Sequence, residues 1–114
     1  MSRNEIMYLQ DIAESCEKIV RFTAGLTRSE LLQDQKTYDA VVRNLEIVGE
    51  AAKHISDEIR EQLPNIEWRK VAGLRDMLAH VYFGIDDDIL WDVIQNKVPQ
   101  LAKSTNAFLN KEQG

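Results

Sequence analysis

The chain of 114 residues, 44 % hydrophobic and 29 % charged, is long enough for one domain spanning 1–114 with a modest core and too short for two. It has no run near the roughly 18 to 20 continuous apolar residues of a membrane span, so no membrane contact is expected. A net charge of −5 excludes wholesale coating of a nucleic acid, because phosphate binding draws on accumulated Lys and Arg, and confines any RNA contact to a local basic pocket.

The first ten residues, MSRNEIMYLQ, lack the basic, apolar, small-residue order of a signal peptide, so the cytoplasm is the expected location. Leu9, Ile12, Ala13, Cys16, Ile19, Val20 and Thr23 recur at helical spacing and predict a first helix from about Asn4 to Phe22 that ends near Gly25. Cys16 falls on that stripe and has no second cysteine to pair with, which reads as a packed thiol in a reducing compartment. Thr27 and Glu30 form a capping box that opens a short turn through Leu31 and Leu32. A second long helix, about Gln35 to Ile55, carries the cleanest apolar stripe, Tyr38, Val41, Val42, Leu45, Val48, Ala51, Ala52 and Ile55. Gly49 inside it costs about 1 kcal/mol against Ala, which implies that a neighbouring helix packs close to the backbone there.

Ser56 and Asp57 cap a short helix that ends before Pro64. The stretch IEWRKVAGLRDMLAHVYF then puts Leu74, Leu78, Val81 and Ile85 on one face, with Gly84 closing it. Asp86, Asp87 and Asp88 sit where acids favour a helix N-terminus. The last segment carries Ile89, Leu90, Val93 and Ile94, meets Pro99, which should kink it or divide it, and resumes with Leu101, Ala102, Thr105, Phe108 and Leu109. No segment alternates with a period of two, and no repeat or low-complexity tract is present. The expected fold is all-α, an antiparallel bundle of four to five helices.

Three reactive side chains, Arg75, His80 and Tyr82, fall within eight residues of one predicted helix. Arg75 and Tyr82, seven apart, are nearly aligned; Asp76 and His80, four apart, form a neighbouring row. Leu74, Leu78 and Val81 carry the apolar face, so the polar set points away from it. Composition alone leaves a lone Arg and a lone His on a helix as solvated or ion-paired residues.

The run of Arg75, four residues, His80, one residue and Tyr82 resembles the signature of the HEPN ribonuclease toxins, in particular the HepT type paired with an MNT nucleotidyltransferase antitoxin. RNLEIVGEAAKHIS in the second helix, PNIEWRKVAGLRDMLAHVYFGID around the motif, Trp91 and the late VPQL are similar to that family in order and spacing, over nearly the whole chain. Many relatives carry Asn where this chain has Asp76, and an acid so near His80 bears on the pH optimum.

The resemblance implies a metal-independent endoribonuclease that cleaves tRNA or mRNA and needs no cofactor. Such cleavage uses the ribose 2′-hydroxyl as nucleophile and requires a base, a cation for the phosphorane charge and an acid for the leaving 5′-oxygen. His80, with an ordinary imidazole pKa of about 6.5, suits proton transfer near neutrality. Arg75 offers a planar fork of donors to phosphate. Asp76 is a supporting residue. One chain supplies one such His for two proton transfers, and a two-fold homodimer with a composite site, the arrangement of HEPN toxins, answers the shortage.

His54, beside the apolar stripe of the second helix, reads more simply as a surface residue. No His-x-x-x-His or Cys pair is present, and adjacent Asp86, Asp87 and Asp88 are not spaced to converge on one metal ion. The resemblance further implies that the antitoxin silences the enzyme by transferring AMP to Tyr82, which places negative charge one helix face from Arg75. Lys53, Arg60, Arg69 and Lys70 are candidates for an RNA-guiding rim or for a solvated charged face. The competing reading is a HEPN module that no longer cuts and binds nucleotide or antitoxin.

Overall fold

A computed structural model describes residues 2–81 and 87–113, and the side chains of residues 79–81 and 113 lie outside that description. All regular structure among the described residues is helical. Helix α1, Arg3–Thr23, opens on a capping box in which Ser2 and Glu5 satisfy each other's backbone N–H groups, and it gives way to Gly25 at φ +77°. Helix α2, Arg28–Gln33, opens on the expected Thr27 and Glu30 box. Asp34 caps α3, Gln35–Ala52, and Ser56 caps α4, Asp57–Gln62.

Helix α1 packs along α3 on one side and along the C-terminal helix on the other. Tyr8, near the start of α1, stacks on His54, just past the end of α3, so the two helices run antiparallel. Their stripes interlock: Leu9, Ile12, Cys16 and Ile19 from α1 and Val41, Leu45 and Val48 from α3 are each fully buried. At roughly 1.5–3 kcal/mol for each large aliphatic side chain removed from water, this seam is the main stabilising feature of the bundle. Burial pushes the Cys16 thiol pKa up to about 12, with the negative charge of Glu17 adding to the effect, as expected of a packed thiol.

Three boundaries differ from the sequence reading. Helix α3 stops at Ala52, three residues early, although Ile55 is still buried in the connection that follows. The segment around the motif is two helices, α5 (Trp68–Ala72) and α6 (Leu74–Val81), broken at Gly73. The Gly73 carbonyl accepts from the N–H groups of Asp76 and Met77, so α6 starts afresh there. Helix α7, Asp87–Asp92, runs through a π-helical turn, Val93–Lys97, into α8, Val98–Gln113. The Val98 N–H reaches back five residues to the Val93 carbonyl. The ladder therefore widens next to Pro99, which has no N–H to give, and the helix neither breaks nor ends.

Asp87 and Asp88 occupy the first turn of α7, while Asp86 lies outside the described residues. Asp87 accepts a hydrogen bond from the Tyr38 hydroxyl at 3.3 Å and Asp88 pairs with Arg28 at 2.8 Å, tying α7 to α3 and α2. Ile89, one of the apolar residues of the last segment, is 45 % exposed.

Candidate functional site

The position of Arg75 follows from Gly49. A Cβ on Gly49 would stand 3.3 Å from the Leu74 Cβ, 3.4 Å from the Val71 carbonyl and 3.5 Å from the Arg75 backbone nitrogen. Only glycine lets the α5–α6 junction lie this close on α3, which explains a residue that otherwise weakens the helix. The contact brings the first turn of α6 beside the last turn of α3, and Arg75 beside Glu50.

Glu50 gathers three cationic or basic groups. One carboxylate oxygen lies 3.7 Å from Arg75 Nη1 and 3.7 Å from Lys53 Nζ, and the other lies 3.8 Å from His54 Nε2. The His54 ring stacks on Tyr8, centroids 4.5 Å apart and planes 12° from parallel. Exposed ion pairs at such distances contribute about 0–1 kcal/mol each, so Glu50 lies beside Arg75 without fixing or burying it. The Arg75 side chain remains 67 % exposed and its donors are open to an anion.

Arg75 also lines a cavity of about 390 Å3 between α1, α3 and α6, with Tyr8, Asp11, Arg43, Glu46 and Glu50 among its other walls. That volume falls in the lower part of the range of small-molecule sites. Asp76, the next residue on α6, is exposed. The backbone of His80 belongs to α6, while its side chain lies outside the described residues, as does Tyr82 entirely. The four predicted site residues thus divide: Arg75 and Asp76 stand in the first turn of α6, His80 is placed by its backbone alone, and Tyr82 is outside the description.

Glu50, Tyr8, Asp11, Arg43 and Glu46 were not anticipated. The one signal in the sequence was Gly49 immediately before Glu50. His54 is half-exposed, as expected of a surface residue, yet it is held on two sides, by Tyr8 and by Glu50. Of the four rim candidates, Arg60 ties elements of the fold together and Lys70 makes a local surface ion pair. Arg60 donates from Nη2 to the Ala52 carbonyl at 2.8 Å, closing the α3 C-terminus, and lies over the Trp68 ring at 5.7 Å. Lys70 pairs with Glu67 at 2.8 Å; the same contact raises the lysine pKa and lowers that of the carboxyl, on which Lys97 also acts. Lys53 belongs to the Glu50 cluster and Arg69 is exposed.

Comparison with known proteins agrees with the motif. A family described as Ribonuclease HepT-like matches residues 12–108. A Thermococcus cleftensis protein provisionally named ribonuclease HepT is 44 % identical over 89 % of this chain and 92 % of its own length. Two Methanocaldococcus jannaschii proteins, provisionally named RNases, are 40 % and 38 % identical over 94 % and 90 % of the chain, and 88 % and 95 % of their own lengths. No solved structure matches. The chain belongs to the HepT-like ribonuclease family.

Proposed function

We propose that the chain is a metal-independent endoribonuclease toxin whose site is built from Arg75 and His80 of two subunits. The observation that supports it most directly is the exposed guanidinium of Arg75, paired with Glu50 and lining a cavity, in a chain of a ribonuclease family. In the proposed reaction the ribose 2′-oxygen attacks the adjacent phosphorus and the bond to the 5′-oxygen breaks. One imidazole takes the 2′-hydroxyl proton and a second returns a proton to the leaving oxygen. Arg75 holds the non-bridging oxygens as charge accumulates on them, a role for which its fork of donors is suited and a lysine less so. Asp76, adjacent on α6, supports the orientation of His80.

The two imidazoles come from the two His80 residues of a homodimer with its axis near the α6 helices. In this reading an MNT-type nucleotidyltransferase antitoxin silences the toxin by AMP transfer to Tyr82, whose added phosphate competes with RNA for Arg75. The test is cleavage of tRNA and mRNA by the purified chain in EDTA, beside Arg75→Ala and His80→Ala. The expected result is cleavage by the wild type alone. Equal background in all three would leave a binding module and overturn the reading.

A further inference from the structure

The cavity beside Arg75 holds more charge than Arg75 and its partner explain. Asp11 on α1 and Arg43 and Glu46 on α3 line it, and among the described residues none of the three has an ion pair or side-chain hydrogen bond. Tyr8 forms an aromatic part of the same wall, and its ring is stacked with that of His54. A ligand that matches this lining needs a flat face for Tyr8, N–H donors for acceptor-only carboxylates and an anionic group for Arg43 and Arg75. A nucleotide with an exocyclic amino group has all three.

We infer that this cavity is a base-recognition subsite for single-stranded RNA, taking the unstacked base next to the phosphate held by Arg75 and selecting bases that carry an amino group. The base lies against Tyr8, in the manner by which splayed RNA bases stack on aromatic side chains. Asp11 and Glu46 accept from the N6 amino group of adenine or the N4 amino group of cytosine. Uracil presents a carbonyl oxygen at that edge, which two carboxylates repel. Arg43, one helical turn from Glu46, meets the neighbouring phosphate. The inference rests on the reading of Arg75 as the phosphate ligand, and it adds which nucleotides the site admits.

The test separates binding from cutting. Short 2′-O-methyl homopolymers of adenosine, cytidine and uridine lack the nucleophile, and their affinities for the full chain are measured by fluorescence anisotropy. The expected result is binding of the adenosine and cytidine chains about tenfold tighter than the uridine chain, one amino contact being worth roughly that ratio. Asp11→Ala and Glu46→Ala, which remove the acceptors at exposed and half-exposed positions, are expected to bring the three affinities within about twofold. Arg75→Ala is expected to weaken all three together. Equal affinities for wild type, no binding at all, or a preference that survives both alanine variants overturns the inference. Cleavage of unmodified RNA is scored separately. A selective chain that does not cut refutes the ribonuclease proposal and leaves the subsite standing, and a cutting chain without selectivity does the reverse.

Discussion

Replacing Gly49 by Ala tests whether the close approach of α6 to α3 sets the position of Arg75. The new Cβ would meet Leu74, Val71 and Arg75 at 3.3–3.5 Å, so α6 must retreat by a few tenths of an ångström. Two effects on stability oppose each other. Removing a helix-interior glycine stabilises by about 1 kcal/mol, and mild overpacking costs about the same. The melting temperature should therefore move by no more than about 4 °C in either direction. Catalysis has no such compensation. Misplacing a reacting group by about 1 Å costs on the order of a hundredfold, so a shift of roughly a third of that lowers the single-turnover rate about fivefold. Gly49→Val adds two methyl groups beyond that Cβ and should destabilise by roughly 2–3 kcal/mol. The measurements are thermal melting by circular dichroism and single-turnover cleavage of a defined RNA. A Gly49→Ala variant that cuts at the wild-type rate would refute the coupling.

Arg60→Ala should destabilise by about 1–3 kcal/mol, through loss of the Ala52 carbonyl bond and the Trp68 contact, and leave cleavage per folded molecule unchanged; urea melts and active-site titration check it. Because the Cys16 thiol ionises at about 12 in the fold against 9.0 unfolded, the unfolded chain releases its proton first, so that contribution to stability is full below pH 9 and is lost as pH rises from there toward 12. Urea midpoints measured at pH 8 and pH 10, for wild type and Cys16→Ala, should show a steeper alkaline loss in the wild type. A variant held monomeric should retain under a tenth of the cleavage activity, and sedimentation paired with the rate assay would show whether activity follows the dimer. When the chain is produced together with a nucleotidyltransferase of the MNT type, mass spectrometry should find adenylyl groups on Tyr82, and Tyr82→Phe should resist silencing.

The long helices could be read from the sequence because their information is local. The stripes of α1 and α3 recur every three to four residues, and Thr27 and Ser56 satisfy N–H groups only three residues away. Gly49 was informative for the opposite reason, since a residue unfavourable to its own helix points to a neighbour. The break at Gly73 was hidden because a single glycine is tolerated inside helices, and whether it ends one depends on what packs against it. At Pro99 the sequence announces a missing donor, while packing decides between a kink, a break and the π turn observed. The wall of the site was the least legible part. Tyr8 and Glu50 lie 42 residues apart in the chain and share a cavity only because α1 and α3 run antiparallel. Arg60 looked like any surface cation until the α3 C-terminus was found beneath it.

Stabilisation of the RNA-cleavage transition state by Arg75 is tested by the single-turnover rate of Arg75 variants on one defined RNA, at saturating protein and in EDTA. Arg75→Ala should lose about a hundredfold to a thousandfold, the usual cost of removing a donor aimed at developing charge, and Arg75→Lys should retain part of the rate. A rate for Arg75→Ala within about twofold of the wild type would contradict it.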